Sequence, residues 1–348
     1  MAKKKDDTNI PLISRDEFDS ANKEDAISVF SRCHLALFNY LLIGNILYTL
    51  VIFVLALLYG EAAIDIAYHP VFLPLSQIVV MYFIAFPIFC IKVRNIPKAS
   101  REKNKIGFGE FFSLLLIGLA LMEIGKYLSL YTSAKLYSIF TPLSNIRAGY
   151  SYLSVLDTAP TILFVVILAP IFEELIFRKL LIDRFSVYGD RLAVIVTSVA
   201  FGLFHGNITQ LFFAILAGFV LGHVYTKTRN VMYSIALHMM INLFGTIPGT
   251  PLFFDENIAS NFVEEFNFVA SGSAPLDTIL SFVKTATIIL GLVLLVFSLF
   301  NKKYRLSREC DIEIPKMKLL RVVVLNKGTI LFTLWCVLTI IELLFLSI

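Results

Sequence analysis

Ala169-Pro170-Ile171-Phe172-Glu173-Glu174-Leu175-Ile176-Phe177-Arg178 sets two adjacent carboxylates and a guanidinium inside an apolar run. A charged side chain at the centre of a bilayer costs about 2.5–3.5 kcal/mol on insertion scales, so an ionisable residue there marks a functional site by default. Two further patterns follow in the next apolar segments, Phe201-xxx-His205 and His238-xxx-Asn242. Three such patterns in succession point to one site shared by neighbouring membrane helices.

The rest of the chain supports a membrane protein. Hydrophobic residues make up 57% of it, charged residues 16%, and mean hydropathy is +0.79, whereas soluble domains carry about 25% charged residues. Apolar runs recur from Leu35 onward at near the ~20 residues a spanning helix needs. The expected spans are 35–59, 71–91, 111–131, 160–181, 192–206, 210–226, 231–246, 278–300 and 329–348, of which those starting at Leu192, Gln210 and Val231 are short. The reading is an all-α, polytopic transmembrane helical bundle of eight to nine spans. Eight applies if one short span is re-entrant.

Basic residues test that count, because Lys and Arg collect in alternate, cytosolic loops. They are dense after the second span (Lys92, Arg94, Lys98, Arg101, Lys103, Lys105), and recur after the fourth, sixth and eighth. The intervening loops are poor in base, and the one from Pro248 to Pro275 holds Asp255, Glu256, Glu264 and Glu265 with no base at all. A cytosolic N-terminus follows, in a multi-pass protein of the cell membrane. The polar start, with Lys3, Lys4 and Lys5, lacks the apolar core and small-residue cleavage site of a signal peptide. These lysines read as a topology signal, and nucleic acid is not an expected partner. Cys33, Cys90, Cys310 and Cys336 form no CxxC pair, so neither a zinc knuckle nor a redox motif is available and no cofactor is expected; HExxH is absent, though these motifs alone do not exclude a metal held through His and Glu.

The expected organisation is a polar cytosolic segment over 1–34, N-terminal spans over 35–159, a site-bearing core over 160–246, an acidic extracytoplasmic loop over 247–277 and C-terminal spans over 278–348. Within the first segment, the amphipathic stretch 26–34 either lies on the membrane surface or simply extends the first helix. Glu123 and Lys126, three apart in the third span, are expected to neutralise each other. Gly218 and Gly222 form a small-xxx-small face suited to helix packing.

On a helix, Glu174 and Arg178 share a face and can pair, while Glu173 is turned by about 100° and points elsewhere. Glu174 is thereby satisfied and Glu173 left to face a neighbouring helix. His238 and Asn242, four apart, face the same way. A glutamate and a histidine can position and deprotonate one water, and a second histidine with an amide can donate to a developing oxyanion. These are the parts of a water-activating amide hydrolase.

Glu173-Glu174-xxx-Arg178, Phe201-xxx-His205 and His238-xxx-Asn242, in that order within apolar spans, resemble the motifs of the CPBP family, also called Abi. That family holds type II CAAX prenyl endopeptidases and bacteriocin-processing or bacteriocin-immunity proteins. The resemblance covers about 160–245 and implies a CAAX-endopeptidase-like helical core and a metal-independent intramembrane glutamate protease. It implies that Glu173 is the base acting with His205, that His238 and Asn242 form the oxyanion site, and that Glu174 with Arg178 orders it. The implied partners are the lipid bilayer and a membrane-associated peptide or protein substrate, such as a leader-bearing peptide. The alternative is a non-catalytic immunity protein, or a membrane partner regulating a sensor kinase.

Overall fold

The computed structural model describes residues 15–69, 71–140, 162–246, 276–301, 304, 306 and 310–346. The acidic loop expected over 247–277 lies outside these residues as far as Pro275, as do the first 14 residues of the polar start. The described part is built of helices: α1 (Arg15–Tyr59), α2 (Phe72–Val93) and α3 (Phe108–Phe140) precede the site-bearing core. The core is α4, a continuous helical run from Leu163 to Phe185, then α5 (Asp190–Phe204), α6 (Ile208–Thr228) and α7 (Val231–Thr246). Three helices follow: α8 (Leu276–Phe300), a short α9 (Lys316–Val323) and α10 (Lys327–Leu346). The expected spans all fall on these helices where they are described.

By length and apolarity, five helices can cross a membrane: α1, α2, α3, α6 and α8. A sixth is added if α9 and α10, bent by 58°, count as one. The three helices that fall short are those carrying the motifs. Charged residues Glu173, Glu174, Arg178 and Lys179 interrupt α4. With 15 and 16 residues, α5 and α7 reach only about 22–24 Å at ~1.5 Å per residue, against a hydrocarbon core of about 30 Å. All three pack among the longer ones, which face outward with residues such as Leu57, Phe83, Val293 and Phe297.

At 45 residues, α1 is about 68 Å long, more than twice a bilayer. Its N-terminal part therefore projects beyond the apolar zone, and from Ala26 onward it packs on protein. Ala26, Val29, Phe30 and Cys33 are buried, and Phe30 stacks on Phe185 at 4.5 Å. The stretch 26–34 is thus a helical extension. His34 joins the same contact: its Nδ1–H donates to the Phe30 carbonyl at 2.8 Å, and Thr329 of α10 lies 3.1 Å away.

At the centre, α6 packs against α3 on one side and α5 on the other, and small residues permit the approach. A side chain at Gly125 of α3 would meet the backbone of Phe212 and Phe213, and Gly218 of α6 sits against Ser198 of α5. Association of helices in lipid relies on this close contact, since burial of apolar surface gives little drive there. The α5–α6 turn uses Gly206 at φ +63°, a left-handed conformation glycine adopts without penalty. At the far end of α6, Arg229 takes φ +51° without that freedom, held by its 2.5 Å pair with Asp190 and a 3.1 Å bond to the Ser186 hydroxyl.

Candidate functional site

The helical run α4 changes pitch twice around the acidic pair. Leu163–Leu168 and Leu175–Ile182 are π-helical, and the α-helical turn Ala169–Glu174 lies between them. Wider turns of this kind recur at functional sites because they re-aim side chains. Here they turn Glu174 and Arg178 into the bundle: Glu174 is 0% and Arg178 1% exposed.

Arg178 Nε lies 3.1 Å from Glu174 Oε2. The guanidinium also sits 4.7 Å over the ring of Phe201 and reaches the Gly218 carbonyl at 3.5 Å. Glu174 Oε1 accepts from His238 Nδ1 at 2.9 Å, and the buried Ser234 lies beside the same carboxylate. A line of charge and hydrogen bonding therefore runs from Arg178 through Glu174 to His238.

Glu173 faces the neighbouring helix α7. Its Oε2 lies 3.7 Å from His238 Nε2, so both carboxylates reach one imidazole from opposite sides. The helical offset does turn the two acids apart, but a ring inserted between them offers a nitrogen to each. Glu173 is the more open of the two, its side chain 18% exposed. No three His, Cys, Asp or Glu side chains among the described residues are arranged to hold a metal ion.

His205 and Asn242 stand to either side. The Nδ1–H of His205 donates to the Phe201 carbonyl at 2.7 Å, which leaves Nε2 as an acceptor. Phe201 separates the two histidines, meeting His205 edge-on at 4.9 Å and His238 edge-on at 5.7 Å. Asn242 donates to the Val165 carbonyl at 2.9 Å, a backbone group in the π-helical turn before the acids. The structure thus gathers Glu173, Glu174, Arg178 and His238 in direct contact. It sets His205 one ring away and Asn242 against the neighbouring helix.

Several neighbours escaped sequence reasoning. Phe201 is the hub of the site, although its position in Phe201-xxx-His205 signalled only spacing. Gly218 supplies a carbonyl. Glu123 and Lys126 are 3.9 Å apart as expected, but Lys284 of α8 also approaches Glu123 and the Phe244 ring, a long-range relation no local pattern reveals.

The architecture is that of an integral membrane protein with a buried Glu–Arg–His site. Residues 155–244 match the family described as Rce1-like, type II CAAX prenyl endopeptidase. The chain is 25% identical over 174 residues to the "Putative membrane peptidase YdiL" of Bacillus subtilis (strain 168), a match that covers 49% of this chain and 69% of that protein. It is 32% identical over 80 residues to the "UPF0177 protein YxdF" of Lactococcus lactis subsp. lactis (strain IL1403), covering 23% of this chain and 44% of that one. No solved structure matches the chain. Residues 155–244, which hold all three motifs, are thus similar to the type II CAAX prenyl endopeptidase family.

Proposed function

We propose that the protein is an intramembrane endopeptidase of the CAAX type, hydrolysing a peptide bond in a membrane-associated peptide or protein. The observation that carries this reading is the double engagement of His238: one nitrogen is fixed by the Glu174–Arg178 pair and the other faces the more open carboxylate of Glu173. A purely structural ion pair needs no second acid there.

In this reading Glu173 and the free Nε2 of His205 hold a water against the scissile carbonyl. As the water oxygen bonds to the carbonyl carbon, its proton passes to Glu173. Electron density moves to the carbonyl oxygen, where the N–H groups left to His238 and Asn242 stabilise it. Nδ1 of His238 is taken up by Glu174, so Nε2 is the ring nitrogen turned toward the oxyanion. Collapse of the tetrahedral species breaks the C–N bond, and Glu173 returns its proton to the leaving amine. Glu174 and Arg178 orient His238 and touch no reacting atom. The alternating basic loops support a cell-membrane protein with a cytosolic N-terminus.

Peptides released by cells carrying wild-type protein or Glu173→Gln, at equal abundance, test the reading. A peptide that disappears while its longer precursor stays in the membrane is the expected result. Unchanged profiles, with a cellular phenotype that needs the protein but not Glu173, would refute it and favour the immunity or sensor-partner role.

A further inference from the structure

Two phenols from outside the matched residues close on this site. Tyr82, in a π-helical stretch of α2, lies face to face with Phe172, the neighbour of Glu173; the ring centroids are 4.0 Å apart and the planes within 3° of parallel. Tyr40 of α1 rests on Phe204, the neighbour of His205, at 5.7 Å, and meets Phe89 of α2 edge-on. Both tyrosines are more than nine-tenths buried. Both lie within electrostatic reach of the Glu173 carboxylate, and Tyr82 lies within reach of Tyr40.

Neither hydroxyl hydrogen-bonds a protein group among the described residues, and neither oxygen is among the fully enclosed unpartnered atoms, so each keeps some accessible surface. Stacking on Phe172 or Phe204 would be served as well by phenylalanine, so the two accessible hydroxyls have no role in the packing itself. The matched helices, meanwhile, have donors already committed: His238 Nδ1 to Glu174, and one N–H of Asn242 to Val165. Two unengaged donors beside Glu173 supply what a bound peptide needs, since every residue of a peptide presents a carbonyl acceptor.

We propose that Tyr40 and Tyr82 are substrate-contacting residues, whose hydroxyls donate to carbonyl oxygens of the peptide held at Glu173. Tyr82, the one stacked on the turn that bears Glu173, donates to the scissile carbonyl as charge develops on it. Tyr40 donates to a neighbouring carbonyl and contributes to binding. The site is then completed by α1 and α2, and the matched helices alone do not form it. The inference rests on the endopeptidase reading.

The test uses the full-length protein in phosphatidylcholine vesicles, with a mixture of internally quenched peptides that carry a randomised centre and a hydrophobic anchor. Wild type, Glu173→Gln, Tyr82→Phe and Tyr40→Phe are compared, because Phe keeps each ring contact and deletes only the hydroxyl. Loss of one oxyanion donor lowers kcat by about 10²–10³-fold, so Tyr82→Phe should lower kcat on that scale with KM and Tm nearly unchanged. Tyr40→Phe should raise KM more than it lowers kcat. Wild-type kinetics in both variants, or a kcat loss that tracks a fall in Tm, would overturn the proposal while leaving the endopeptidase reading intact. Wild-type protein that cleaves no faster than Glu173→Gln would remove both.

Discussion

Deleting the Arg178 side chain while keeping Glu174 strands a carboxylate that is fully enclosed. Three contacts go at once: the 3.1 Å ion pair, the reach to Gly218 and the face of Phe201. Breaking one side of a buried pair costs about 3–5 kcal/mol, whereas replacing both sides by apolar residues of similar volume is often neutral. The lost cation–π contact adds up to about 2 kcal/mol. Arg178→Met should therefore destabilise the protein by about 3–7 kcal/mol, those two contributions combined. Glu174→Leu/Arg178→Met should recover most of the ion-pair part, a coupling of at least 2 kcal/mol by the same reasoning. Unfolding by SDS titration from mixed micelles would measure all four corners of the cycle. Cleavage in the double variant should stay lost, because His238 Nδ1 no longer has a carboxylate to orient it. Additive effects of the two single changes would refute the coupled pair. Restored cleavage in the double variant would refute the orienting role of Glu174.

Two other expectations follow from the same geometry. His205→Phe keeps an aromatic edge against Phe201 but removes the nitrogen that holds the water for Glu173, so peptide cleavage should fall by about 10²–10⁴-fold, the range for disabling general-base catalysis, with the SDS midpoint nearly unchanged. Gly125→Val places a branched side chain against the backbone of Phe212 and Phe213; overpacking of this kind costs about 1–3 kcal/mol and should appear as a lower Tm, since a backbone cannot step aside as a side chain does.

Much of this was legible in the sequence because the motifs obey local rules. Glu174 and Arg178 are one helical turn apart, and the pairing follows from that spacing alone. Span positions follow from apolar run length, and even the shortness of 192–206 and 231–246 is visible. What was not legible depends on distance along the chain. That both acids meet one imidazole requires knowing that α7 packs against α4. The π-helical turns on either side of Glu173 have no sequence signature, since Leu and Ile suit either pitch. Tyr40 and Tyr82 sit in apolar runs where a tyrosine reads as lipid-facing, and only the packing of α1 and α2 against α4 and α5 brings them to Glu173. Lys284 was hidden for the same reason.

The brevity of α5 and α7 has a consequence for the surrounding lipid. Both helices reach the outer surface of the bundle, through Ile195 and Val199 on one and Met232, Met240 and Leu243 on the other. A bilayer that meets a hydrophobic surface some 6–8 Å shorter than itself thins beside it or tilts the helix, at a fraction of a kcal/mol per Å. Headgroups and water then dip toward the protein on the flank where its polar residues are buried. Acyl-chain length thus becomes a control variable for this protein, acting on the same helices that hold His205 and His238.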